Sequence, residues 1–288
     1  MRGPAGALRT VGRVTYELTG LTDKVAVVTG AGRMRSIGRP IAVELARAGC
    51  DVVLTGTGRP PDRYPDDEKA AGWHDIESVA EEVRALGRRA VTAVSDVSDL
   101  TAVEALAERT MAELGRVDIV VNNAGASKGD DRRPVIDLDP ALWHTVINVN
   151  LTGSFLMSKV FGRLLVEGAR GGSIVNISSI AGKVLSPTTS AYAASKAGIH
   201  ALTACMSGEV GQYGVRVNAI CPGVIDTSRM DDLGRGEVWD QLVATRIPMG
   251  RAGTGDDIAY AVVYLCSDQG AWVTGQAWNV DGGTVVQH

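Results

Sequence analysis

The sequence predicts an α/β fold: a doubly wound, mostly parallel seven-stranded sheet with helices on both faces, in a single domain. Three observations predict it. From Lys24 onward apolar runs alternate with helical stretches, most of those runs are continuously apolar, and a glycine-rich turn joins the first run to the first helical stretch. At 288 residues, 45% hydrophobic and 22% charged, the chain can bury one sizeable core and is too apolar for disorder.

Taken in order, the first strand is expected at Val25–Thr29, an unbroken VAVVT ending in the glycine turn, and the second at Asp51–Thr55, DVVLT. The third, Ala90–Asp96, and the fourth, Ile119–Asn122, each end in polar residues that begin a turn. Ser173–Ser178, Arg216–Ile220 and Ala277–Val280 complete the set. Helices are expected between them at Arg39–Ala48, Ile76–Leu86, Leu100–Leu114, Ala141–Leu165, Ala191–Gln212 and Asp256–Cys266. No polar linker divides them. The Pro- and charge-rich stretch Gly58–Gly72 is long for a connection between a strand and its helix and reads as a surface-loop insertion. Residues 1–20 are Arg-rich and nearly acid-free, as in organelle transit peptides. They lack Ser and carry early Gly and Pro, so they read as an N-terminal extension ahead of a domain spanning 21–288.

A net charge of -4 provides no basic field for nucleic acid or for an anionic membrane, and no apolar run approaches the roughly 18 residues of a membrane span. A small-molecule partner is expected. Cys50, Cys205, Cys221 and Cys266 stand singly, which suits a reducing cytoplasm. His74, His144, His200 and His288 show no metal-ligand spacing, so no metal is expected.

Chemistry is suggested at three places. In Thr29–Gly38, TGAGRMRSIG, a strand, a glycine turn and a helix N-terminus follow one another; Gly30, Gly32 and Gly38 permit close backbone approach, and free helix N–H groups face an anion. Asp96 and Val97 after the third strand, and Asn122, Asn123, Ala124 and Gly125 around the end of the fourth, lie where open parallel sheets bind ligands. Asn-Asn-Ala-Gly taken alone is equally a simple strand-ending turn. Finally, Tyr192 and Lys196 are four residues apart on a helix, hence on one face, where the ammonium favours phenolate and lowers a phenol pKa that is normally about 10.

These segments, with NVNLTGSF around Asn150, IVNISSIAG around Ser179, SAYAASKAG around Tyr192 and Lys196, ICPGVIDT at Ile220–Thr227 and the closing TGQAWNVDGG, closely resemble the single-domain members of the short-chain dehydrogenase/reductase family, from about Thr22 to Gly283. The resemblance implies a Rossmann-type domain and an NAD(P)-dependent enzyme that moves a hydride between nicotinamide and a carbonyl or secondary alcohol. It implies that Tyr192 exchanges the proton, that Lys196 tunes Tyr192 and binds the nicotinamide ribose, and that Ser179 hydrogen-bonds the reacting oxygen. Ser179 is preferred to Ser178 because its thirteen-residue step to Tyr192 matches the family's spacing. Asn150 would hold a helix irregularity and a relay water. Asp96 and Val97 would meet adenine, Asn123, Ala124 and Gly125 would line the cofactor cleft, and Pro222, Gly223, Ile225 and Thr227 would position the nicotinamide. The glycine turn departs from the family pattern: two residues are extra, and Ser36 stands where the middle glycine belongs. Arg35, Ser36, Ile37 and Gly38 are the expected phosphate contacts there, Ser36 by its hydroxyl or as a helix cap.

NAD-binding members carry an acidic residue at the end of the second strand, but here Gly56 and Thr57 occupy the slot, and Arg33, Arg35 and Arg59 lie close in sequence. NADP(H) is therefore expected in preference to NAD(H). The resemblance also implies a homotetramer, with the small-residue helix at Ala191–Ala201 in an interface. A 3-oxoacyl thioester, a steroid, a sugar and a small ketone all remain open as substrate. Val184, Leu185, Met230, Leu233, Trp239, Leu242 and Val243 could line its pocket or simply anchor the covering segment Ser228–Pro248. The alternative activity is that of a non-catalytic dinucleotide-binding relative.

Overall fold

The computed structural model of the protein describes residues 17–286. Strands β1 (Val25–Val28), β2 (Asp51–Gly56), β3 (Ala90–Val94), β4 (Ile119–Asn122), β5 (Gly172–Ile177), β6 (Val215–Pro222) and β7 (Ala277–Val280) form one sheet in the order β3-β2-β1-β4-β5-β6-β7. Every pairing is parallel, so the sheet goes beyond the mostly parallel expectation. All seven expected strands are present, with ends within two residues of the sequence reading.

Because strand side chains alternate, each strand feeds two cores. Ala26, Val28, Val52, Leu54, Val121 and Val175 pack with Ile41 and Leu45 of α1 (Gly38–Arg47) and residues of two later helices on one face. Val25, Val27, Val53, Val120, Ile174 and Val217 pack on the opposite face. The helices are α2 (Asp66–Ala70), α3 (Ile76–Ala85), α4 (Leu100–Leu114), α5 (Pro140–Ile147), α6 (Gly153–Glu167), α7 (Ser190–Val210), α8 (Glu237–Arg246) and α9 (Gly255–Cys266). Val79 of α3 and Val262 of α9 close the first core; Leu106 of α4 and Met157, Phe161 and Leu165 of α6 close the second. Phe161 has no solvent exposure, and truncating it to Ala would cost about 3–5 kcal/mol.

Three regions differ from the sequence reading. The expected helix Ala141–Leu165 is α5 and α6 joined by a five-residue π-helical segment, Asn148–Thr152, around the buried Asn150. Helix α8 forms within the covering segment after β6, where Trp239 is buried and the Arg235 guanidinium lies 4.2 Å from its ring centroid. Trp239 therefore anchors that segment. The insertion Gly58–Gly72 is not a plain surface loop: it contains a 3-10 turn at Pro61–Arg63 and helix α2, and it buries Tyr64 and Glu68. Of the N-terminal extension, residues 1–16 lie outside the described residues, as does His288. Leu18 packs on the first core, and Thr19 bonds Asp268 and Gln269.

With all strands parallel, their carboxyl ends share one edge of the sheet. β1 sits between β2 and β4, so connections leave it in opposite directions and open a crevice at that edge.

Candidate active site

The glycine turn leaves β1 at this crevice. Thr29 Oγ1 accepts hydrogen bonds from the backbone N–H groups of Asn123 and Ala124, both at 3.0 Å, and Asn123 Nδ2 donates to the carbonyls of Thr29 (2.8 Å) and Gly30 (3.0 Å). The turn and the β4 end are thereby locked together. A Cβ on Gly30, whose φ is +66°, would lie 2.8 Å from Ala124 Cα, and one on Gly38 would lie 2.5 Å from Asn123 Nδ2, so both must be glycine. Ser36 Oγ accepts from the Arg39 N–H at 3.2 Å and so caps the first turn of α1. That turn holds no acidic residue, and its positive end suits a pyrophosphate beside Ile37 and Gly38. The cradle fits a dinucleotide.

The insertion folds over the same turn. Glu68 Oε1 accepts from Met34 N–H at 2.9 Å, and Trp73 Nε1 donates to Gly32 O at 2.6 Å. Asp75, held at φ +52°, brings its carboxylate between Gly32 and Gly56: a Cβ on Gly32 would lie 1.8 Å from Asp75 Oδ1, and one on Gly56 would lie 3.5 Å from Oδ2. Arg59 pairs with Glu68 at 3.0 Å and with Asp75 at 3.1 Å. Burial, then repulsion from Arg59, holds the Arg33 guanidinium below its ordinary pKa. Thus the slot after β2 that lacks a carboxylate in sequence contains one in space.

Helix α7 supplies Tyr192 and Lys196. Lys196 is buried and its Nζ donates to Ile177 O at 2.8 Å, at the end of β5; burial lowers its pKa. Burial alone pushes the Tyr192 phenol up, but the charges of Lys196 and Arg229, a hydrogen bond with Ser179 and the charge of Arg132 outweigh it, and the net pKa lies below the ordinary tyrosine value. Ser178 is committed elsewhere, its Oγ meeting Lys196 O at 3.0 Å and His200 Nε2 at 2.8 Å, which leaves Ser179 as the serine facing Tyr192. Asn150 accepts from Ala126 N–H through Oδ1 (2.8 Å) and donates to Ser195 Oγ (2.9 Å), tying the π segment to the β4 loop and to α7. π-helical turns of this kind concentrate at functional sites.

The remaining expected residues lie along the same edge. Asp96 is exposed and accepts from Ser98, whereas Val97 turns its side chain inward, where a Cβ on Gly153 would meet it at 2.6 Å. Gly125 lies beside Asn150, and Thr57 is exposed past β2. Pro222 ends β6; Gly223 N–H donates to Val280 O at 3.2 Å, Ile225 bridges to Gly253, and Thr227 is buried ahead of the 3-10 turn Ser228–Leu233. Arg35 departs from its expected part. Its guanidinium is bound by Asp67 at 2.7 Å and by both oxygens of Asp231, so it straps the insertion to the covering segment and is not free for a phosphate. Sequence reasoning missed Glu68, Asp75, Arg132 and Arg229. Val184 and Leu185 are exposed beside α7. Among the described residues no group of three His, Cys, Asp or Glu side chains could hold a metal.

The family model described as enoyl-(acyl carrier protein) reductase matches residues 30–285. The chain is 36% identical to L-rhamnose 1-dehydrogenase (NAD(P)(+)) of Azotobacter vinelandii over 92% of this chain and 98% of that protein. It is 37% identical to the 3-oxoacyl-[acyl-carrier-protein] reductase of Pseudomonas aeruginosa, over 91% of this chain and 98% of that one. The crystal structure of carveol dehydrogenase from Mycobacterium avium in complex with NAD superposes with a TM-score of 0.82 at 30% identity, covering 92% of this chain and 99% of that one.

Proposed function

The chain belongs to the short-chain dehydrogenase/reductase family and is an NAD(P)-dependent oxidoreductase of alcohol and carbonyl groups, and on that premise we propose that Tyr192 is its acid/base, set by Lys196 and assisted by Ser179 and Asn150. One observation carries this reading: a half-buried phenol facing Ser179, with the buried ammonium of Lys196 5.7 Å from its ring centroid on the same helix face, which helps hold its pKa below the ordinary value. When bound, the nicotinamide supplies or accepts the hydride. In reduction Tyr192 Oη gives its proton to the carbonyl oxygen as that oxygen gains charge; in oxidation the phenolate takes the alcohol proton. Ser179 Oγ donates to the same oxygen and orients it. Lys196 stabilises the phenolate in either direction and would hold the nicotinamide ribose when the cofactor is bound. Asn150 fixes the Ala126 and Ser195 ends of the site and with them the π segment that carries it. The test is nicotinamide absorbance across a mixed alcohol and ketone panel. Cofactor binding without turnover on any member would favour the non-catalytic alternative.

For the cofactor, the folded rim favours NAD(H) over the NADP(H) expected from the sequence. Arg33 and Arg59 are matched by the carboxylates of Glu68 and Asp75, so the rim offers no net positive charge to a 2'-phosphate. Asp75 instead offers an acceptor to ribose hydroxyls beside Gly32 and Gly56, and would repel a phosphate there.

The assembly is a homotetramer in this reading. Ala194, Ala201, Ala204 and Gly208 leave a flat exposed face along α7, beside Phe155 of α6 at 45% exposure. Such a face suits close packing against a second copy. The four free cysteines support a cytoplasmic site, and no helix among the described residues is long and apolar enough to cross a membrane.

A further inference from the structure

Two arginines reach the Tyr192 ring from the two loops that flank it. Arg132, between β4 and α5, places its guanidinium carbon 4.5 Å from the ring centroid, and Arg229, at the start of the covering segment, places its own 5.3 Å away. Lys196 Nζ is 5.7 Å from the same centroid. Against these three cations stands Asp131, which meets Arg132 Nε at 3.3 Å and also accepts from Gly129 N–H. Arg229 makes no ion pair among the described residues and donates to Ala126 O at 2.7 Å. Arg132 Nε is buried without a well-formed hydrogen bond.

Other cations around the cleft are differently placed. Arg35 is paired with Asp67 and Asp231, Arg59 with Glu68 and Asp75, Lys128 with Asp232, and Arg235 with Asp226. Arg229, beside the reacting group, has no such carboxylate partner among the described residues. Half-buried, uncompensated charge is costly unless a ligand balances it. Lys196 is the largest of the charges that favour phenolate, and the two guanidinium groups add theirs while keeping donor N–H groups to spare. Their planar forks match a carboxylate.

We propose that Arg132 and Arg229 recognise a carboxylate on the substrate, so that the protein interconverts hydroxy acids and oxo acids in preference to neutral alcohols and ketones; this rests on Tyr192 being the proton donor. Since both guanidinium groups lie against the Tyr192 ring, the carboxylate sits only a few bonds from the reacting carbon.

The experiment measures kcat/KM of the full chain with NADH on short-chain 2-oxo and 3-oxo acids and on their methyl esters. The acids are expected to exceed the esters by about a hundredfold, the worth of charge-assisted hydrogen bonds. Arg229→Gln and Arg132→Gln should each cut the acid-to-ester ratio by about tenfold or more, chiefly through KM of the acid. If the arginines only tune Tyr192, acid and ester rates fall together, the pH profile moves and the ratio stays, which overturns the proposal. Esters and neutral ketones turned over as well as the acids also overturn it, and leave hydride transfer standing. Silence on acids and neutral substrates alike would overturn this proposal together with the catalytic reading beneath it.

Discussion

The catalytic edge of the molecule and its nucleotide rim are held in contrasting ways. Around Tyr192 the positioning bonds are buried and mostly uncharged: Asn150 to Ala126 and Ser195, Ser178 to α7, Lys196 to Ile177. Around Gly32 an inserted segment is held by ion pairs, Arg59 to Glu68 and Asp75 and Arg35 to Asp67 and Asp231, the latter half-exposed. Chemistry needs fixed geometry, which buried hydrogen bonds enforce because breaking one leaves an unsatisfied polar group. Cofactor choice needs only a sign of charge at one place, and a network of ion pairs supplies that.

The sharpest break of this contrast is Tyr192→Phe, which keeps the ring and its packing and removes the transferable proton. Turnover should fall by about 10²- to 10⁴-fold with cofactor affinity retained, read by steady-state rates beside nicotinamide fluorescence titration. A variant within a few-fold of the parent, with chemistry rate-limiting, would remove Tyr192 from the mechanism. On the rim, Asp75→Asn preserves shape and suits the positive φ while deleting the charge. The ratio of NADPH to NADH dissociation constants should fall about tenfold, one charged contact's worth. A parent that already binds NADPH more tightly would refute the assignment of Asp75.

Smaller effects sharpen the comparison. His200, held between Ser178 and Cys221 at 2.8 and 3.2 Å, has its pKa lowered to about 4 by burial and then by Lys183 and Lys196. A histidine depressed in the folded state costs nothing at neutral pH; stability is lost as pH falls from the unfolded value of about 6.5 through about 4. Melting temperature followed over that window should drop more steeply in the parent than in His200→Gln. Smallest of all, Arg35→Gln should cost below about 1 kcal/mol in urea unfolding, as half-exposed pairs do, while making the insertion more susceptible to protease.

Most of the fold was legible because the strands are continuous apolar runs and the helices keep one apolar face. Tyr192 and Lys196 were legible because four residues of helix put two side chains on one face whatever surrounds them. Asp75 was not, because nineteen residues separate it from Gly56 and only the folding of the insertion returns it there. Arg35 was misread for the converse reason: closeness in sequence to the phosphate cradle did not reveal the carboxylates that claim it. Arg132 and Arg229 look like ordinary loop arginines until the fold sets both on one ring. The break in the long helix was foreseen only through Asn150, since a π turn leaves the apolar spacing on either side almost intact.

That π turn has a consequence for how the chain can change. It amounts to one surplus residue wound into a continuous rod. Deleting one residue of Asn148–Thr152 would let the rod close into regular α-helix with its two flanks nearly in phase, because the wider turn spends an extra residue on about the same rotation. Met157, Phe161 and Leu165 would go on facing the sheet. What would be lost is the placing of Asn150 against Ala126 N–H and Ser195 Oγ. Single-residue deletions here should therefore spare the fold and disable the site: the surplus residue serves the chemistry, and the rod merely tolerates it.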